Sequence, residues 1–173
     1  MHKVISSGLL SIALSLSAQA GQLDSFTDLF ARTCMQHFYS QDQLRGELAA
    51  HQELAGQEAS FFLGGLEGTA WLVEHNNSRF VVSLRQDGMC AVFAQTASAT
   101  DVQRNFIATV GDAPEPLIAV QRQNNGPASG STRTVSYAWT REQDPSELLF
   151  TLTTSEDPAS PVQAMASLGA VAK

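Results

Sequence analysis

The side chains able to do chemistry are few. Cys34 and Cys90 are the only cysteines, and the histidines are His2, His37, His51 and His75. A nucleophilic cysteine needs a helix N-terminus or a neighbouring cation to hold its thiolate, and a histidine within hydrogen-bond reach. Cys34 falls in the middle of a helical pattern, on its apolar stripe, and Cys90 falls in the middle of a strand pattern. Neither position meets the requirement. Cys34 and His37 are three apart on one helix and could touch one metal, but a zinc site takes three or four ligands. No CxxC or HxxxH spacing supplies the others. No metal and no cofactor is therefore expected. Serine chemistry lacks a G-x-S-x-G elbow. Ser129, in the loop G-P-A-S-G-S, has no base marked for it. No phosphate loop and no dinucleotide fingerprint occurs. Glu74 and His75 are neighbours on a strand and point to opposite faces, which breaks the simplest acid–base pair. No catalytic residue is assigned.

The cysteines instead read as one disulfide, Cys34–Cys90, in an exported chain. Phe26, Leu29, Phe30, Cys34 and Phe38 recur at helical spacing, so that stripe faces the core. A cysteine on a helix packed against a sheet can meet a cysteine on that sheet. Parity along the strand places Cys90, Val92 and Ala94 on one face and Met89, Ala91 and Phe93 on the other, so the bridge predicts that the Cys90 face is the covered one. The chain-entropy model gives such a bridge about 4 kcal/mol as an upper figure.

The N-terminus agrees with export. Residues 1–20 have a short basic start, an apolar run from Val4 to Leu16, and a small-x-small ending, Ala18-Gln19-Ala20. That is the pattern of a signal peptide cleaved between Ala20 and Gly21. The run is too short for a comfortable membrane span, and no later segment is apolar enough for one. The expectation is a periplasmic or secreted protein whose residues 21–173 form a single domain of ordinary size. The full chain carries a net charge of −7, and Lys3 is the only charged residue of the leader, so the remainder is one unit more acidic. An acidic chain without a basic run is not built for nucleic acid or for anionic membranes. It is compatible with a cationic protein partner.

The elements follow from pattern. Three strand-like runs, Ala70–His75, Phe80–Leu84 and Met89–Ala94, are joined through Asn76-Asn77-Ser78 and Asp87-Gly88, which suit tight hairpins. Ahead of them, Asp24 or Ser25 opens a first helix. Ser40 opens a second, with Gln43 completing a capping box and an end near Gly56. Phe61–Leu63 fits a helical turn or an edge strand. After the meander, Thr100 caps a helix over 101–110 that stops at Gly111. Strand patterns return at Leu117–Gln123, Thr132–Arg141, Leu148–Thr154 and, by period two, Val162–Val171. Three strands, a helix and then further strands would allow a duplication. Helices before and between strand runs, without β-α-β alternation, give an α+β fold: a curved antiparallel sheet of six or seven strands, two N-terminal helices and one helix between the strand groups. Trp71, Tyr137 and Trp139 are expected in the core.

Gly68, Ala70, Trp71, Phe80 to Leu84, Asp87 to Ala94, Val102 and Phe106 make a G-x-A-W…F-V-V-x-L…D-G-x-C-x-V-F-A pattern with a following helix. This resembles a family of small exported proteobacterial proteins. The likeness covers about a quarter of the chain, and every shared residue is of a core or turn type. It implies export and fold, and no reaction. The function expected is a non-enzymatic interaction protein that binds another protein, of inhibitor or immunity type or as an accessory of an envelope complex. The alternatives are a cell-envelope hydrolase or a binder of small apolar ligands. The loops Asn76–Arg79, Asn124–Ser131 and Glu142–Glu147 are the expected contact carriers.

Overall fold

The computed structural model of the protein describes residues 24–122 and 130–173. The leader, the Ala20–Gly21 junction and most of the Asn124–Ser131 loop lie outside the described residues. Asp24 caps the first helix, α1 (Ser25–Phe30), its carboxylate accepting from the Thr27 amide and hydroxyl. The helix runs on as a π-helical turn, Ala31–Met35, which carries Cys34. Then come α2 (Gln41–Leu48), β1 (Gln52–Glu53), α3 (Gly56–Leu63), β2 (Gly68–His75), β3 (Ser78–Arg85), β4 (Cys90–Ala94), α4 (Ala99–Val110), β5 (Ile118–Arg122), β6 (Thr132–Thr140), β7 (Ser146–Ser155) and β8 (Ala164–Ala172).

The fold is α+β with one sheet of eight strands, in the order β1-β2-β3-β4-β8-β7-β6-β5, every neighbour antiparallel. The order reads as two four-strand meanders that meet at the β4–β8 pair. Trp71 opposes Val82 in the first, and Trp139 opposes Leu148 in the second. Both tryptophans follow an alanine on the second strand of their half. The sheet has eight strands and not six or seven; the two-residue β1 is too short to leave a periodic signal.

The elements before the meander also differ from expectation. α2 ends at Leu48 and not near Gly56, and Ser40 makes no capping bond; its hydroxyl faces His37 Nδ1 at 3.4 Å instead. Gly56 opens a further helix, α3, which takes in Phe61–Leu63. The cap of α4 is Ser98 and not Thr100, its hydroxyl accepting from the Asp101 amide at 3.4 Å. The β2–β3 turn holds Asn76 and Asn77 at φ 48° and 61°, the left-handed values that a two-residue hairpin requires.

The two faces of the sheet are covered differently. One lies under α1, the π turn, α2 and α4, and its core includes Phe30, Leu84, Val92, Phe106, Phe150 and Leu168. Phe30 and Phe106 meet at 6.0 Å between ring centres, joining α1 to α4. Trp71 is buried, and Tyr137 and Trp139 pack against this core. Trp139 Nε1 donates to the carbonyl of Val110 at 2.7 Å. On the opposite face α3 covers the first meander, over Leu54, Ala70, Val81, Ala91 and Phe93. The second meander shows hydroxyls on that face: Thr134 meets Thr153 at 3.0 Å and Ser136 meets Thr151 at 3.2 Å. The side-chain types follow the covering: apolar where α3 lies, hydroxylic beyond it.

Candidate functional site

Cys34 and Cys90 form a disulfide, with Cα atoms 5.4 Å apart and a sequence separation of 56. Both are buried on the helix-covered face beside Val92 and Ala94. The bridge consumes both thiols, so neither serves a Cys–His site. His37, three residues after Cys34, is 5 % exposed. Its Nε2 stands 3.3 Å from Glu47 Oε2 but without hydrogen-bond geometry. Cys34 and His37 thus belong to the core and its margin.

Two titratable side chains that the sequence did not connect do come together. His75 Nε2 lies 2.7 Å from Asp28 Oδ2, joining the end of β2 to α1. Arg32 bridges the same carboxylate at 2.9 Å. Burial pushes the Asp28 carboxyl up, but the hydrogen bonds from His75 and Arg32 outweigh it and hold the group below the usual carboxylate range. A carboxylate orienting an imidazole is a familiar acid–base arrangement. Here it opens on a hollow of about 420 Å³ along the hairpin tip, lined by 74–79. Ser78 opposes His75 in the register, and no hydrogen bond joins them among the described residues. The contact fastens α1 to the hairpin.

A second cleft has a different character. It lies where α3 leaves the sheet incompletely covered, with a volume of about 240 Å³. Leu72, Val81 and Phe93 form its floor, and Phe62 and Val162 its walls. The floor is one row of the sheet: Leu72 opposes Val81, Val81 opposes Phe93, and Phe93 opposes Met165. Phe62 meets Phe93 edge-on at 5.1 Å. Glu58, Arg79 and Gln95 stand on the rim. Beside Phe62, Phe61 is 57 % exposed.

Arg79 is the cation of this rim. Arg32, Arg85, Arg104, Arg122 and Arg141 each reach a carboxylate, whereas Arg45, Arg79 and Arg133 do not among the described residues. Arg79 has Glu74 directly across the hairpin, yet among the described residues it makes neither an ion pair nor a hydrogen bond. Of the expected contact loops, the β2–β3 turn does reach this site through Arg79. The stretch 142–147 does not behave as a contact loop throughout, because Glu147 is 8 % exposed within β7 and is held by Arg122.

The cleft escapes sequence reasoning because it depends on α3, of which only Phe61–Leu63 carries a local signal, one that fits a helical turn or an edge strand. Phe61-Phe62 was the available signal, since adjacent aromatics on a short amphipathic helix cannot both face inward. Among the described residues, no group of three or more His, Cys, Asp or Glu is placed to hold a metal. No described helix is long and apolar enough to cross a membrane. No family model, curated protein or solved structure matches the chain.

Proposed function

We propose that the protein is an exported, periplasmic binding protein that acts by holding another protein and not by catalysis. The observation that supports this best is the cleft beside α3, an apolar floor with Phe62 as a wall and exposed Phe61 next to it. Exposed apolar groups gathered at one place, with a polar rim, are the usual mark of a contact surface. A volume of about 240 Å³ is below the roughly 300–1,000 Å³ of sites that enclose a small-molecule ligand. It suits a single large side chain offered by a partner. The net charge of −7 favours a partner with cationic surroundings, and association then slows as salt rises, since exposed charges are screened within about 8 Å at physiological ionic strength.

The experiment is affinity capture from an envelope extract, comparing the parent with Phe61→Ser and Val162→Lys, two substitutions at the cleft that spare the main core. A partner held by the parent and lost by both folded variants supports the reading. Equal capture by all three places the contact elsewhere.

A further inference from the structure

We propose that the cleft recognises the C-terminal residue of its partner, an apolar side chain resting on Leu72, Val81 and Phe93 with its free carboxylate on Arg79. This rests on the cleft being the contact surface, and it adds the chemistry that the partner must present.

The argument begins with Arg79. Glu74 faces it across the β2–β3 hairpin, yet the two make no ion pair. Instead its side chain borders the cleft, uncommitted among the described residues. A guanidinium is a planar fork whose paired N–H donors match a carboxylate. Gln95 on the same rim offers a side-chain amide as a further donor.

The second step is the distance between cation and apolar floor. Arg79 and Val81 are two apart on β3 and share a face. A ligand that fills this site presents an acid and an apolar group on the same side. An internal Asp or Glu next to an apolar residue points to the opposite side, and one two positions away meets the geometry only with two side chains ordered together. A C-terminal apolar residue carries both groups itself. Capture of a chain-terminal carboxylate is an established way of recognising peptides. Glu58, in the first turn of α3 and also on the rim, sets a limit on the rest of the partner. It repels a second acid and can accept a backbone N–H from the residues leading into the cleft.

The test uses N-acetyl-Ala-Ala-Phe as the free acid and as the C-terminal amide, titrated into the full chain and into Arg79→Gln by calorimetry or by amide chemical shifts. The free acid should bind the parent at least tenfold tighter than the amide, as expected for a hydrogen-bonded charge. Arg79→Gln should abolish that ratio while weakening the amide little. Shifts should centre on Leu72, Val81 and Phe93. Equal binding of acid and amide, or no binding of either at millimolar concentration, overturns the proposal. N-acetylphenylalanine binding as tightly as the tripeptide acid assigns the site to small apolar acids and overturns the partner assignment. The reading of the cleft as a contact surface is judged separately, by cross-linking from position 61. An adduct there without an acid–amide ratio removes the carboxylate and leaves the surface.

Discussion

Asp28 and His75 meet at 2.7 Å across 47 positions of sequence, and their contact ties the helix layer to the tip of the first hairpin. Asp28 is held below the usual carboxylate range by His75 and Arg32 despite its burial. Its folded state therefore binds the proton less tightly than its unfolded state. The stability it contributes is complete above the ordinary carboxylate pKa and is lost as pH falls through the lower folded value. Urea unfolding of the parent and of Asp28→Asn should differ fully above about pH 5 and converge only as pH falls below the ordinary carboxylate value of 3.8. A gap that widens on acidification would mean that Asp28 is not the stabilising partner.

The disulfide should contribute on the scale of a large core side chain. Thiol titration of the unfolded, unreduced protein should find no free thiol. Replacing both Cys34 and Cys90 with Ala should cost about 2–5 kcal/mol, which for a domain of this size lowers Tm by roughly 5–20 °C.

Gly68 should resist substitution for a steric reason. A Cβ there would stand 2.5 Å from the Leu84 carbonyl oxygen and 2.8 Å from Arg85 Cα. Both are backbone atoms of β3, so the strand pair itself must shift. Gly68→Ala should cost roughly 1–3 kcal/mol and raise hydrogen exchange at the paired ends of β2 and β3. Exchange and stability equal to the parent would contradict the close approach.

Phe30 and Phe61 should separate stability from binding. Phe30 is fully buried against Phe106, and Phe30→Ala should cost about 3–5 kcal/mol. Phe61 is largely exposed, and Phe61→Ser should change stability by no more than about 0.5 kcal/mol while weakening partner capture. Chemical denaturation measures both.

The parts of this fold that were legible in the sequence are those governed by local pattern. Phe26, Leu29, Phe30 and Cys34 announced a core-facing stripe, and parity along β4 placed Cys90 on the covered face, so the disulfide and the side to which α1 docks could be read directly. The small-residue run of β8 was legible through its period of two, although its alanines favour helix. What escaped was set by distant contacts. β1 has two residues and exists because Gln52 and Glu53 pair with Leu72 and Trp71. Ser40 has the composition of a cap, but its hydroxyl faces His37. Asp28 and His75 carry no mutual signal, since nothing local links a helix surface to a hairpin end. Arg79 could be assigned to a contact loop, but its position over Leu72, Val81 and Phe93 depends on where α3 lies.

The central claim, that the open side of α3 is where a partner is held, is tested most directly by site-specific photo-cross-linking in exporting cells. A benzophenone side chain placed at Phe61 should give one discrete adduct, and the added substitution Val162→Lys should remove it. The same side chain at Tyr39, which is 86 % exposed on the helix-covered side of the sheet, should give none. No adduct from position 61, or the same adduct from position 39, would contradict the account.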